Sequence, residues 1–229
     1  MKQYIYETHL HTSPVSKCAK ANVRKNLEFY KSLGYEGVFI TNHFMDGNIR
    51  CDKALPYVEK LAYYLSDYYN GLKIGKEIGL SVFLGLECSY LGTDFLVYGL
   101  DIDWLFDHPE IVELPKSAAL TLMMEAGALV IQAHPFREAR YIDHIRLFPR
   151  NVHGVEVFNA CRTDFENSMA ELYAKSYELI PFAGSDNHIA GNIPRLGGMQ
   201  SDTPIVDEKD FVLRVKNGEI TPFTRVLAE

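Results

Sequence analysis

The chain has 229 residues, 47% hydrophobic and 12% aromatic, enough apolar material to predict one large α/β domain over 1–229 and too much for a disordered chain. Its 23 Lys and Arg against 30 Asp and Glu leave a net charge of −7; a polyanion needs a basic surface, so no nucleic-acid partner is expected. No apolar run approaches the ~18 residues of a membrane span, and the opening residues read as a strand, so neither a membrane span nor a signal segment is expected. Cys18, Cys51, Cys88 and Cys161 are scattered without a CxxC pair, so free thiols and a cytoplasmic location are expected.

In chain order, Gln3 to Tyr6 reads as a strand that runs into Thr8-His9-Leu10-His11-Thr12. In extended backbone, side chains alternate faces, so His9 and His11 share one. Asn22 to Leu33 has helical spacing with Gly34 as its stop, and Gly37 to Thr41 is a strand. A long helix is predicted from about Asp52 to Ile78, its tyrosines serving core and rim packing. Strands are predicted at Gly79 to Leu86 and Phe95 to Leu100, then a helix opening at Pro115 and running to Ala126. Leu129 to Gln132 and Gly154 to Phe158 are strands, Asn167 to Ile180 a helix, and Ile180 to Gly184 a strand. Past a Gly/Pro-rich stretch come a helix, Asp207 to Lys216, and an extended piece, Ile220 to Phe223.

Short apolar strands alternating with helices predict a parallel sheet covered on both faces, either a barrel or an open doubly wound sheet. No G-x-G-x-x-G or Walker-type loop supports a nucleotide-binding open sheet. The ionisable residues sharpen the choice. His9 and His11, His43, Glu87, His134, and Asp186 with His188 each fall at the C-terminal end of a different strand. In a parallel barrel those ends share one rim, where active sites form. His108, His144 and His153 fall elsewhere. Imidazoles and carboxylates without paired cysteines suit zinc, manganese or iron.

Thr8-His9-Leu10-His11-Thr12, Ile40-Thr41-Asn42-His43, Gly85-Leu86-Glu87, Ala133-His134-Pro135 and Gly184-Ser185-Asp186-Asn187-His188 together resemble the PHP (polymerase and histidinol phosphatase) superfamily of metal-dependent phosphoesterases. The resemblance implies a distorted (βα)7 TIM-like barrel with two or three divalent metal ions. It implies that His9, His11, Glu87 and Asp186 form a first metal site, that Glu87 bridges to a second metal also held by His134, and that His43 and His188 hold a third. Glu87, Asp186 and His188 are the catalytic residues it suggests. Two cations sharing a carboxylate would lower the pKa of a shared water and orient it for in-line attack on phosphorus.

Two positions depart from that pattern. The loop 13–21 has no carboxylate, and Cys18 is its one strong metal ligand. No histidine occupies the strand at Phe95 to Tyr98; Asp94 is a candidate substitute, but a parallel strand would put it on the opposite rim. Asn42 stands where the family often has Asp. Arg137, Arg162 and Arg195 are candidate phosphate contacts, and Asn159 a candidate substrate contact or loop cap. Glu156, inside its strand, is expected to support rather than ligate. The expected activity is hydrolysis of a small phosphorylated metabolite, with a histidinol-phosphate phosphatase, a phosphotyrosine-protein phosphatase or a non-catalytic metal-binding or interaction module as alternatives. Oligomeric state is not legible.

Overall fold

The computed structural model describes residues 2–191 and 193–227. Strands β1 (Tyr4–Leu10), β2 (Gly37–Ile40), β3 (Ser81–Tyr90), β4 (Thr93–Tyr98), β5 (Leu129–Ala133), β6 (Gly154–Asn159), β7 (Ile180–Gly184), β8 (Arg195–Ser201) and β9 (Thr221–Val226) form one sheet. Their order is β7-β6-β5-β4-β3-β2-β1-β8-β9. The helices are α1 (Val23–Ser32), α2 (Tyr57–Ile78), α3 (Ile102–Asp107), α4 (Lys116–Glu125), α5 (Asp164–Ser176) and α6 (Glu208–Lys216), with a 3-10 turn at Pro109–Val112.

The sheet is mixed. β4 pairs antiparallel with both β3 and β5, and β8 antiparallel with β1 and β9, while the other pairings are parallel. The expected distorted (βα)7 TIM-like barrel is borne out as a nearly closed barrel-shaped sheet, which has nine strands, two of them reversed. Turn chemistry explains β4: only Leu91 and Gly92 separate it from β3, both with positive φ (50° and 83°). A two-residue loop of that kind makes a hairpin, whereas a parallel crossover needs a dozen residues or more.

Closure joins β1 to β7. Leu10 bridges Asn187, His11 N donates to Asn187 O at 3.1 Å, and Thr8 Oγ1 donates to Ala183 O at 2.5 Å. The seam requires glycine: a Cβ at Gly197 would stand 2.3 Å from Gly184 O, and one at Gly184 2.5 Å from His9 Cβ. Tyr6, Phe39, Phe83, Leu96, Tyr98, Ile131 and Phe182 fill the barrel, and Phe211 of α6 packs into the same cluster, 4.4 Å from Phe39 between ring centres. Tyr98 ties the filling to the wall by donating its hydroxyl to Thr8 O at 2.6 Å.

Helix ends differ from the sequence reading for local reasons. α2 starts at Tyr57 rather than near Asp52, because Asp52 Oδ1 accepts from Ala54 N at 2.9 Å in a local turn and Pro56 follows at the cap. α5 starts at Asp164 rather than Asn167, set by a Thr163/Glu166 capping box. β8 and α3 were not expected; β8 contains Gly197-Gly198, residues that read as a loop. The α2 tyrosines do pack the core and rim: Tyr64 donates to Gly85 O at 2.7 Å and Tyr57 to Leu105 O at 2.8 Å. No described helix is long and apolar enough to cross a membrane.

Because the Gly197 contact is with backbone, Gly197→Ala must open the seam and should destabilise the fold by about 1–3 kcal/mol. A lower urea midpoint would be the readout, and an unchanged midpoint would contradict the close approach.

Candidate metal centre

The strand ends deliver their side chains to one pocket on the β1–β3 rim. β1 carries a bulge: three steps from Glu7 to Leu10 face two on β2. The bulge frees backbone N–H groups, and Glu7 Oε1 takes up those of Thr8 (3.0 Å) and His9 (2.8 Å), plus Ser185 N (2.9 Å) from the loop after β7. One buried carboxylate therefore fixes both the HxH segment and the start of the Asp186 loop.

Glu87 is the hub. His9 Nε2 is 3.1 Å from its Oε1, His134 Nε2 3.4 Å from the same oxygen, His11 Nε2 3.3 Å from Oε2, and His43 Nδ1 2.6 Å from Oε2. Asp186 Oδ1 lies 3.5 Å from His9 Nε2 and 3.4 Å from His11 Nε2. Donor atoms group as His9/His11/Asp186, His9/Glu87/His134 and His11/His43/His188, each set within 4.8 Å.

Second partners aim the imidazoles. His9 Nδ1–H donates to Glu156 Oε1 (2.8 Å), His11 Nδ1–H to Ser16 Oγ (3.1 Å) and His188 Nδ1–H to Asp186 O (2.8 Å), so three Nε2 lone pairs converge. Glu156 Oε2 also accepts from His134 N and Asn159 Nδ2, both at 2.9 Å. His134 (φ 24°) and Asp186 (φ 56°) are both held in left-handed backbone, a strain that surrounding hydrogen bonds must overcome.

The set fits divalent metal. Glu87 Oε2, His134 Nε2 and His43 Nδ1 are buried without a hydrogen-bond partner, the short His43–Glu87 approach lacking hydrogen-bond geometry, and Asp94 Oδ2 has its ion pair with Arg137 but no hydrogen bond. Buried acceptors left unpaired are costly, and a shared cation removes the cost. Burial opposes the charge on Glu87 and on Asp186, yet the surrounding histidines outweigh it and hold both carboxyls well below their ordinary range. Burial, with His188 and His43 beside it, lowers His11 to about 3, which keeps its lone pair free. Burial raises the Cys18 thiol, but hydrogen bonds with His188 and His43 prevail and bring it to about 6.

Not every expected residue meets the pocket in the expected way. Cys18, His43, Glu87, Arg137, Arg162, Asp186 and His188 line a cavity of about 570 Å³, with Asp94, Leu91 and Tyr141. Arg195 does not: its guanidinium pairs with Asp164 and Arg162 O and lies 5.5 Å over the Phe158 ring. Asn159, fully buried, donates to Glu156 and, at 3.3 Å, to Asp186 Oδ2, so it braces those carboxylates and does not line the cavity. Arg137 Nη2 stands 2.9 Å from Asp94 Oδ2, while Arg162 Nε has no partner.

Asp94 corrects the sequence reading. The reversed direction of β4 brings its first turn to the rim beside Ala133, and Asp94 Oδ2 lies 3.8 Å from His134 Nε2. Counting the residues between β3 and β4 would have revealed this. Asn42 is structural, accepting from Thr12 N (2.7 Å) and Ser16 Oγ (2.8 Å). His108 stacks on Trp104 at 4.1 Å and donates to its carbonyl. A larger hollow of about 690 Å³, lined by Trp104 and Asp101, Asp103 and Asp107, contains none of these candidate residues.

A family model described as PHP-associated matches residues 164–220. A two-domain protein from Bacteroides vulgatus containing a predicted PHP-like metal-dependent phosphoesterase superposes with TM-score 0.68 at 12% identity, over 97% of this chain and 65% of that one. PsfC from Pseudomonas syringae gives 0.60 at 15% identity, over 100% and 93%. A lesion-specific endonuclease from Pyrococcus furiosus gives 0.57 at 12%, over 99% and 60%. The chain thus spans under two thirds of the Bacteroides and Pyrococcus proteins, and at these identities the likeness is one of fold. No curated protein matches in sequence. The fold is that of PHP-like proteins. The PHP-associated match covers residues 164–220, and the likeness to the solved structures is one of fold.

Glu7 offers a test away from the ligand atoms. Burial raises its carboxyl to about 7 from 4.5. With the folded value above the unfolded one, the neutral acid is stabilising, and that contribution fades as pH rises from about 4.5 through 7. Glu7→Gln, which keeps the accepting oxygen, should match the wild type near pH 4 and gain on it by pH 8 in urea unfolding of chelator-treated protein. A constant difference across that window would contradict the raised carboxyl.

Proposed function

We propose that this chain is a metal-dependent hydrolase that cleaves small phosphate monoesters. His9, His11, Glu87, His134 and Asp186 hold two divalent cations in this reading, and His43 with His188 a third; zinc, manganese and iron suit the donors. The observation that carries it is the convergence of these side chains around Glu87, with Glu87 Oε2, His134 Nε2 and His43 Nδ1 left without hydrogen-bond partners. Bound cations would supply the positive charge that activates water and neutralises phosphoryl oxygens.

The chain's own residues do the rest. Glu156 holds the His9 ring by its Nδ1–H, and Asn159 holds Asp186, so the donor atoms are set before substrate arrives. Arg162, with its unpartnered Nε, offers the phosphate a guanidinium, and Arg137 stands across the cavity beside Asp94. Tyr141 and Leu91, both strongly exposed, flank the mouth where the organic part of the ester would lie. A cavity of about 570 Å³ suits a metabolite-sized ligand. Free thiols at Cys18, Cys51, Cys88 and Cys161 suit a reducing compartment such as the cytoplasm. The Bacteroides neighbour is described as containing a predicted phosphoesterase, which supports the phosphoester reading.

The test is phosphate release from a panel containing a chromogenic aryl phosphate, histidinol phosphate, sugar phosphates, nucleotides and a phosphotyrosine peptide. His9→Ala and Asp186→Ala should lose at least ~100-fold in kcat/KM, and Glu156→Gln about 10–100-fold, as expected for a group that orients a ligand. Arg162→Ala should act mainly on KM. Chelation should abolish turnover and added metal restore it; a metal-loaded protein inert on the whole panel would sink the proposal.

A further inference from the structure

The two departures from the family pattern lie at opposite ends of the cluster and differ in chemistry. At one end the loop 13–21 presents Cys18 Sγ 3.2 Å from His188 Nε2. For comparison, a tetrahedral edge between a sulfur and a nitrogen ligand, with bonds of about 2.3 and 2.0 Å, is about 3.5 Å. The position is braced on both sides. Lys17 N donates to Asn48 O at 2.9 Å, and Lys20 N to His188 O at 2.8 Å, so the backbone flanking the thiol is tied to neighbouring loops. Because His188 Nδ1–H is given to Asp186 O, the ring's other nitrogen is turned toward the sulfur. His11 and His43 meet His188 within 4.8 Å, so three imidazoles gather about the ring that the thiol contacts.

At the other end the donors are mostly oxygen. Asp94 is 3% exposed, and its Oδ2, without a hydrogen-bond partner, lies 3.8 Å from the equally unpartnered His134 Nε2. Glu87 Oε1 is 3.4 Å and Asp186 Oδ2 3.9 Å from that nitrogen. Arg137 Nη2, 2.9 Å from Asp94 Oδ2, balances part of this negative charge.

We infer that Cys18 is a metal ligand with His43 and His188, and Asp94 one with His134, so that the centre has a thiophilic end and an oxygen-rich end and holds unlike metals. Thiolate and imidazole select zinc, whereas carboxylate-rich sets accept manganese or iron. This rests on the metal-dependent reading of the site but concerns selectivity, and its test does not depend on turnover.

The full chain, stripped of metal and titrated with cobalt(II), should show near-ultraviolet sulfur-to-cobalt charge-transfer absorption. Cys18→Ser should lose that absorption while keeping visible ligand-field bands, which also report that the variant is folded and loaded. In protein equilibrated with equal zinc and manganese, elemental analysis should find both metals. Cys18→Asp should lose zinc selectivity by about 10-fold or more, as expected when a soft ligand gives way to a hard one. Asp94→Asn should lose manganese and keep zinc. Absence of the charge-transfer band in cobalt-loaded wild type, or equal zinc selectivity in wild type and Cys18→Asp, makes Cys18 a bystander and overturns the inference. Unchanged manganese in Asp94→Asn overturns the Asp94 half. A protein that shows the band but cleaves no phosphate ester would refute the proposed activity and leave this assignment standing.

Discussion

Glu87 is buried to 1% exposure among four imidazoles, each within 3.4 Å of one of its oxygens. Taking a carboxylate out of water is expensive, and only strong opposite charge or well-aimed hydrogen bonds make it tolerable. Here the hydrogen bonds are incomplete, since Oε2 has none. Much of the rim is arranged around that deficit. Two of the surrounding histidines, His9 and His11, are braced from behind by Glu156 and Ser16, so the deficit is not relieved by their rearrangement. The barrel in effect stores a cation-shaped demand at the end of β3.

The supporting layer has its own hierarchy. Glu156 binds three site groups at once, the His9 ring, the His134 backbone and Asn159, and Asn159 passes the constraint to Asp186. Glu7 does for the backbone what Glu156 does for the side chains, gathering N–H groups from β1 and from the loop after β7. Carboxylates therefore serve two roles here. Glu87, Asp186 and Asp94 offer oxygens to the pocket, while Glu7 and Glu156 spend theirs on position. Their sequence settings barely distinguish them, because the difference lies in the direction an oxygen points.

How much of this was readable before the structure depended on how local each signal was. His9, His11, His43, Glu87, His134, Asp186 and His188 were legible because each sits beside a short apolar strand, and a barrel collects such ends at one rim. Asp94 was misread because the strand before it was taken to stop at Leu86, whereas β3 continues to Tyr90 and turns back within two residues. β8 was invisible since glycines at 197 and 198 depress strand propensity, and only the closeness of Gly184 explains the first of them. Arg195 looked free because its partner, Asp164, is 31 residues away in the chain. Long-range pairing of that kind leaves no periodic trace.

The seam at Gly184 and Gly197 has a kinetic meaning. The contacts that close the barrel link residues very far apart in sequence: Thr8 with Ala183, separated by 175 positions, and Glu7 with Ser185, separated by 178. Loop-closure entropy opposes such pairings until the intervening strands have docked, so they belong to the late part of folding. His9 lies on one bank of the seam and Asp186 on the other. The pocket thus comes into being with the final zippering of the barrel, and a partly folded chain carries its donor atoms apart.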